Sequence, residues 1–247
     1  MRQGMPEPPL WLGQGMINVP FEYGRLPDGR PSLVIGAVQA GLTFNHVQGD
    51  NPEHLRGDCG IVCCADVLDQ FGVYLTEAEL VHHAVACGEL HIVLDRPDES
   101  GWTYPVEQAR ILSDYGVPAH AEQGRSIEWI AEAVQRGHGV IIGVNAGVLW
   151  CNPHNLGTGE ANHAITITGI ARDLADGALL GFFINDSATG KSAQFISCHL
   201  MVTTFERTGG YCVVTDYPKV SGTAVDRVGP AVEVNLPPKA KKPKKVR

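Results

Sequence analysis

Three observations predict an α+β fold for this chain. Apolar residues in the first half recur at helical spacing. The second half changes to the two-residue period of strands. A single Asp176-Gly177 pair between two such runs marks a hairpin. With 247 residues, 44% hydrophobic and 19% charged, the chain can bury a full core, and disorder throughout is excluded. No internal repeat is present.

Residues 1–30 are rich in Pro, Gly and Met and read as a mobile leader; residues 31–216 read as the folded domain. Leu33-Val34-Ile35 is a candidate strand. The polar stretch Phe44 to Pro52 then leads to Gly57-Asp58-Cys59-Gly60. From there Ile61, Cys64, Ala65, Leu68 and Phe71 mark one apolar helix face, and Gly72 suits the C-terminal cap. Thr76 and Glu79 form a capping box that opens a helix to about Cys87. Asp95 to Gly101 is a charged loop. Thr103, with Pro105 just inside, starts a helix carrying Val106, Ala109, Leu112 and Tyr115, closed by Gly116. Ser126 caps another, Ile127 to Arg136, closed by Gly137.

Gly139 to Asn145 reads as a short buried strand, and the loop Ala146 to Glu160 as a cleft wall. His163 to Gly169 alternates as a strand does, and Ala178 to Asp186 returns beside it. Ser197 to Arg207 suits a short helix and Tyr211 to Thr215 a last strand. Residues 217–247 are Pro- and Val-rich and end in a basic tail.

The charge is uneven. Lys239 to Arg247 carries six positive charges and no acid, so the other 238 residues hold 13 Lys and Arg against 27 Asp and Glu, a balance of −14. An acidic body is a poor nucleic-acid surface. No apolar run approaches the ~20 residues of a membrane helix. The seven cysteines are expected to be reduced, in a cytoplasm or after delivery into a target cell without a cleaved signal.

Cys59 opens its helix, where unpaired amides and the dipole favour a thiolate. The plainer alternative is a small buried hydrophobe. A thiol nucleophile needs an imidazole and a group that orients it. Of ten histidines, His163 is best placed, at the start of a strand after a glycine-rich loop. The hairpin brings Asp186 to the same end. A core histidine and a turn aspartate are the alternatives. Cys59, Cys63 and His54 lack a second ligand pair at zinc spacing, so no metal or other cofactor is expected. His82 and His83 are adjacent, point apart on a helix, and read as solvent-facing. Trp150 and Cys151 are candidate walls of a substrate cleft.

Gly57-Asp58-Cys59-Gly60, Asn162 to Gly169 and Phe183 to Ser187 together are similar to the papain-like cysteine peptidases. The branch resembled is that of the bacterial double-glycine leader peptidases and their relatives among polymorphic toxins and effectors. The resemblance spans about residues 45–216. It implies a papain-like domain with Cys59 as nucleophile, His163 as base and Asp186 as orienting residue. It also implies a side-chain amide in the oxyanion hole. Gln48 is the glutamine available, eleven residues before Cys59, with Asn51 and Asn45 as rivals. Asp58, Gly60, Trp150 and Asn162 are expected around the substrate. The implied activity is cleavage of a protein or peptide, at Gly-Gly bonds, with an immunity or inhibitor protein as a further partner. Deamidation of glutamine by the same triad is one alternative, and a catalytically idle binding module is another.

No apolar pattern ties Pro237 to Arg247 to a core. Truncation after Leu236 should therefore leave the thermal melting temperature within a few degrees of the full chain.

Overall fold

The computed structural model describes residues 11, 19–42 and 46–219. Asn45 and the basic tail lie outside the described residues. In chain order the elements are β1 (Phe21–Arg25), β2 (Pro31–Gly36), α1 (Val38–Gly41), α2 (Cys59–Gln70), α3 (Glu77–Cys87), α4 (Pro105–Asp114), β3 (Ala119–Glu122) and α5 (Ile127–Gln135). They continue with β4 (Val140–Val144), α6 (Ala146–Leu149), β5 (His163–Asp173), β6 (Leu179–Asp186), β7 (Lys191–Ser197), α7 (Cys198–Thr204) and β8 (Cys212–Thr215). The fold is α+β, as expected. One boundary changes: β1 falls within the stretch read as a leader, so the sheet begins at Phe21 rather than after residue 30. Its residues FEYGR are half-exposed and too short to show a period, and pairing with β2 makes them a strand.

The sheet is antiparallel and runs β1-β2-β5-β4-β8-β3, with β6 and β7 branching from β5. The long strand β5 makes this possible. Its first half pairs with β4, from Val144↔His163 to Val140↔Ile167, and its second half with β2, from Gly36↔Gly169 to Ser32↔Asp173. Its other edge takes β6 over both halves. Where β2 meets β5, Gly36 has φ +126°, and a Cβ there would lie 2.7 Å from the Gly169 Cα. The two backbones touch at this point, so neither position admits a side chain.

Strand alternation divides the core in two. Ile141, Ala164 and Val213 face α2, α3 and α4 in one cluster. Val140, Ile142, Ile165 and Val214 face α5 and α7 in another, with Phe182 and Phe205. Helices thus cover both faces of the central strands. No helix among the described residues is long and apolar enough to cross a membrane.

The approach to α2 is fixed by polar contacts. Asn51 accepts a hydrogen bond from the Leu55 N–H, and its Nδ2 lies 2.8 Å from the Leu55 carbonyl, 3.1 Å from Asp58 Oδ2 and 2.8 Å from Glu77 Oε1. Asp58 and Glu77 are both buried and share a hydrogen bond. Burial first, then the hydrogen bond and charge of Glu77, push Asp58 from an ordinary 3.8 to about 9. The folded pair therefore holds a proton that the unfolded chain has lost above pH about 4. Because the folded state binds more protons, this pair weakens stability as pH rises from about 4 toward about 9. Asp58→Asn keeps a donor for Glu77 and an acceptor for Asn51. Its melting temperature should fall less than the wild type's over that range, as scanning calorimetry would show.

Candidate active site

Cys59 is the first residue of α2, and its sulfur sits 3.8 Å from the Gly57 carbonyl. A helix start leaves its first amides without intrahelical partners. The Gly60 N–H and, from β5, the Ala164 N–H both point to the sulfur. His163, at the first position of β5, hydrogen-bonds to Cys59. Its Nε2 lies 2.9 Å from Asp186 Oδ1, so Nδ1 is the nitrogen left for the thiol. Asp186 is the last residue of β6 and fully buried.

The Asp186 carboxylate is held from three sides. Besides His163 it accepts the Trp150 indole N–H at 2.8 Å and the Ala188 N–H at 3.2 Å. The Trp150 ring lies 5.1 Å from the imidazole, tilted by 55°. Trp150 follows α6, a single turn capped by Asn145.

The electrostatics follow from this geometry. Burial raises the Cys59 thiol, but the hydrogen bond and charge of His163, with the two amides, more than offset it, and the net direction is down. Burial lowers His163, but Asp186 and Cys59 raise it to about 9. Burial raises Asp186, and its bonds to His163 and Trp150 bring it below the usual carboxylate range. All three shifts favour a thiolate–imidazolium pair. Other thiols go the opposite way. Burial pushes up Cys63 and Cys64, takes Cys198 to about 11, and takes Cys212 to about 12.

Cys59 and His163 open onto a cleft of about 790 Å³. One wall is the segment Trp102–Pro105 with Gln108; the other is Gly159–Asn162 with Arg207 and Tyr211. The expected wall 146–160 thus supplies only its end. Gly60 explains the tight approach of α2 to the first wall. A Cβ there would lie 2.1 Å from Thr103 Oγ1 and 2.4 Å from Gln108 Nε2.

The remaining predicted residues fall in different places. Asn162 lines the cleft, and it also accepts from the Ala146 N–H and donates to the Asn155 carbonyl. Asp58 faces away, into the buried pair with Glu77. Trp150 is not a cleft wall; its indole braces Asp186. Gln48 is not in the cleft either. Its amide donates to the Arg56 carbonyl at 2.7 Å and its carbonyl accepts from Ser187 Oγ, which ties the approach loop to the turn after β6. The Asn51 amide is engaged with Asp58 and Glu77. The amide that does reach the cleft beside Gly60 belongs to Gln108, held by Thr103 at 3.1 Å. A signal for it exists in the sequence: Gln108 is a polar residue on the α4 face otherwise formed by Ile111 and Leu112.

No family model matches this chain, and no curated protein does. Among solved structures the chain is similar to the crystal structure of a "putative C39-like peptidase" from Bacillus anthracis. The two are 17% identical with a TM-score of 0.49, over 70% of this chain and 94% of that one.

The ion pair makes a kinetic prediction. Cys59 should be the first thiol alkylated by limiting iodoacetamide at about pH 6–7, as peptide mapping would show. His163→Ala should move that reactivity to higher pH, because the thiolate loses its counter-charge.

Proposed function

We propose that this chain is a papain-like thiol peptidase whose triad is Cys59, His163 and Asp186. The observation that carries the reading is His163, bonded to the Cys59 sulfur on one side and to a buried, braced Asp186 on the other. The Cys59 thiolate attacks the peptide carbonyl, forming a C–S bond and an oxyanion. As that oxyanion collapses, the C–N bond breaks and His163 gives its proton to the leaving amine. Water then attacks the thioester, His163 takes the water's proton, and the acid leaves with Cys59 restored. Asp186 keeps the imidazole in one orientation and stays ionised.

The oxyanion donors assigned here are the amides at the α2 start and the Gln108 side chain, in place of Gln48. The substrate is a protein or peptide that lies along the cleft. Gly-Gly, suggested by the resemblance, is the first bond to try. The cleft is also lined by Trp102, Tyr104 and Tyr211 and has room for larger side chains. A toxin or effector role, with an immunity or inhibitor protein, has the resemblance alone as support.

The test is to express the chain and its Cys59→Ala variant in cells and map new protein N-termini by mass spectrometry. Cysteine-dependent termini support the peptidase. Deamidated glutamines without new termini would transfer the triad to the deamidase. With a cleaved peptide in hand, Cys59→Ala and His163→Ala should each abolish turnover, and Asp186→Asn should leave weak activity. Gln108→Ala should lower kcat by roughly 10²–10³, the usual effect of losing one oxyanion donor.

A further inference from the structure

A second cluster of reactive side chains lies on the outer side of the helices, away from the cleft. His83 and Cys87 are one turn apart on α3 and so share a face. Asp114 is the last residue of the neighbouring helix α4. His83 Nε2 is 2.9 Å from Asp114 Oδ2 and 3.7 Å from Cys87 Sγ, and the three atoms all lie within 4.8 Å of one another. The His83 ring packs on Tyr115 at 5.0 Å, which limits its rotation.

Three features favour a cation there. Both helices end at the cluster, so the negative ends of two dipoles point to it. Glu89, just past the α3 cap, is buried, and its Oε2 has no hydrogen-bond partner. The ligand set is also selective. A thiolate with an imidazole suits zinc, whereas magnesium and calcium prefer oxygen alone. Zinc bonds of about 2.0–2.3 Å in a tetrahedron separate neighbouring ligand atoms by about 3.3–3.6 Å. The two His83 separations, 2.9 and 3.7 Å, lie within a few tenths of an ångström of that range, and Cys87 Sγ and Asp114 Oδ2, within 4.8 Å of each other, draw together on the ion.

We propose that His83, Cys87 and Asp114 form a zinc site that clamps the C-terminal ends of α3 and α4. Binding releases the Cys87 thiol proton and replaces the His83–Asp114 hydrogen bond with two metal bonds. The fourth position takes water. The site is separate from the cleft. It braces α4, which carries Gln108.

The test is a Co²⁺ titration of the metal-free full chain, followed by absorption. The wild type should bind one ion with the visible bands of a tetrahedral site and a thiolate-to-cobalt charge-transfer band, and Zn²⁺ should displace it. Cys87→Ser should lose the charge-transfer band, and His83→Gln and Asp114→Asn should each weaken binding by on the order of tenfold or more. Circular dichroism establishes that each variant is folded. Zn²⁺ should raise the melting temperature of the wild type and not of Cys87→Ser. Absence of a tetrahedral spectrum, a charge-transfer band that survives Cys87→Ser, or affinity unchanged in His83→Gln would each overturn the proposal.

Discussion

The hydrogen bond between His163 and Asp186 is the contact on which the candidate site depends, and the pairing of β5 with β6 sets it. The two residues are 23 apart in sequence and meet at one end of a hairpin. Thr166 pairs with Asn185, so the strand ends carry both side chains to the same edge. A register slip of one residue would turn His163 to the opposite face of the sheet and away from the sulfur. The register is held by the burial of Ile165, Ile167, Phe182 and Ile184 on one side and by Asn185, which donates to the Gly41 carbonyl and accepts from the Ala193 N–H. Core packing and polar ties therefore specify the same geometry that the chemistry needs.

Against this hairpin the helix α2 is placed with unusual chemistry for a buried element. One buried acid lies within it and another at its N-cap. Asp58 shares a proton with Glu77, and Asp66, raised by burial to about 8, takes the His46 N–H and contacts Thr166 and Asn185. Burial favours the neutral form of each, which limits the negative charge near Cys59 to the one that the Asp58–Glu77 pair carries. Ionised, they would oppose the ion pair from α2 and its N-cap. The burial that favours their protonated forms is thus compatible with the lowered pKa of Cys59.

Much of this was legible in the sequence. The helices from Cys59, Thr76, Pro105 and Ser126 begin and end where caps and glycines mark them. The Asp176-Gly177 hairpin placed His163 and Asp186 together because a two-strand unit needs no distant information. What escaped had two causes. β1 and β7 lack a clear period and become strands by pairing with their chain neighbours β2 and β6, whereas β3 is four residues long and is made a strand by β8, far along the chain. Gln48 is absent from the cleft lining for a local reason. Proximity in sequence suggested a place there, but the chain between Gln48 and Cys59 folds back, and the Gln48 amide meets the Arg56 carbonyl instead. Gln108, 49 residues beyond Cys59, reaches the cleft through the packing of α4 on α2, and its one local trace is a polar residue on the Ile111–Leu112 face.

That packing explains why Gly60 follows the cysteine. A helix start bearing a nucleophile must leave its amides open toward the cleft, and it must also be held rigidly. Here α2 is held by direct contact with the Thr103–Gln108 segment, so close that a single methyl at residue 60 would overlap both side chains. A larger residue would separate the helix from its wall and carry the Gln108 amide away from the sulfur. The glycine is thus required by sterics at the wall as well as by the loop that precedes it. The same contact ties α4, which carries Gln108, to the helix start at Cys59, so the two walls of that corner of the cleft are packed as one unit.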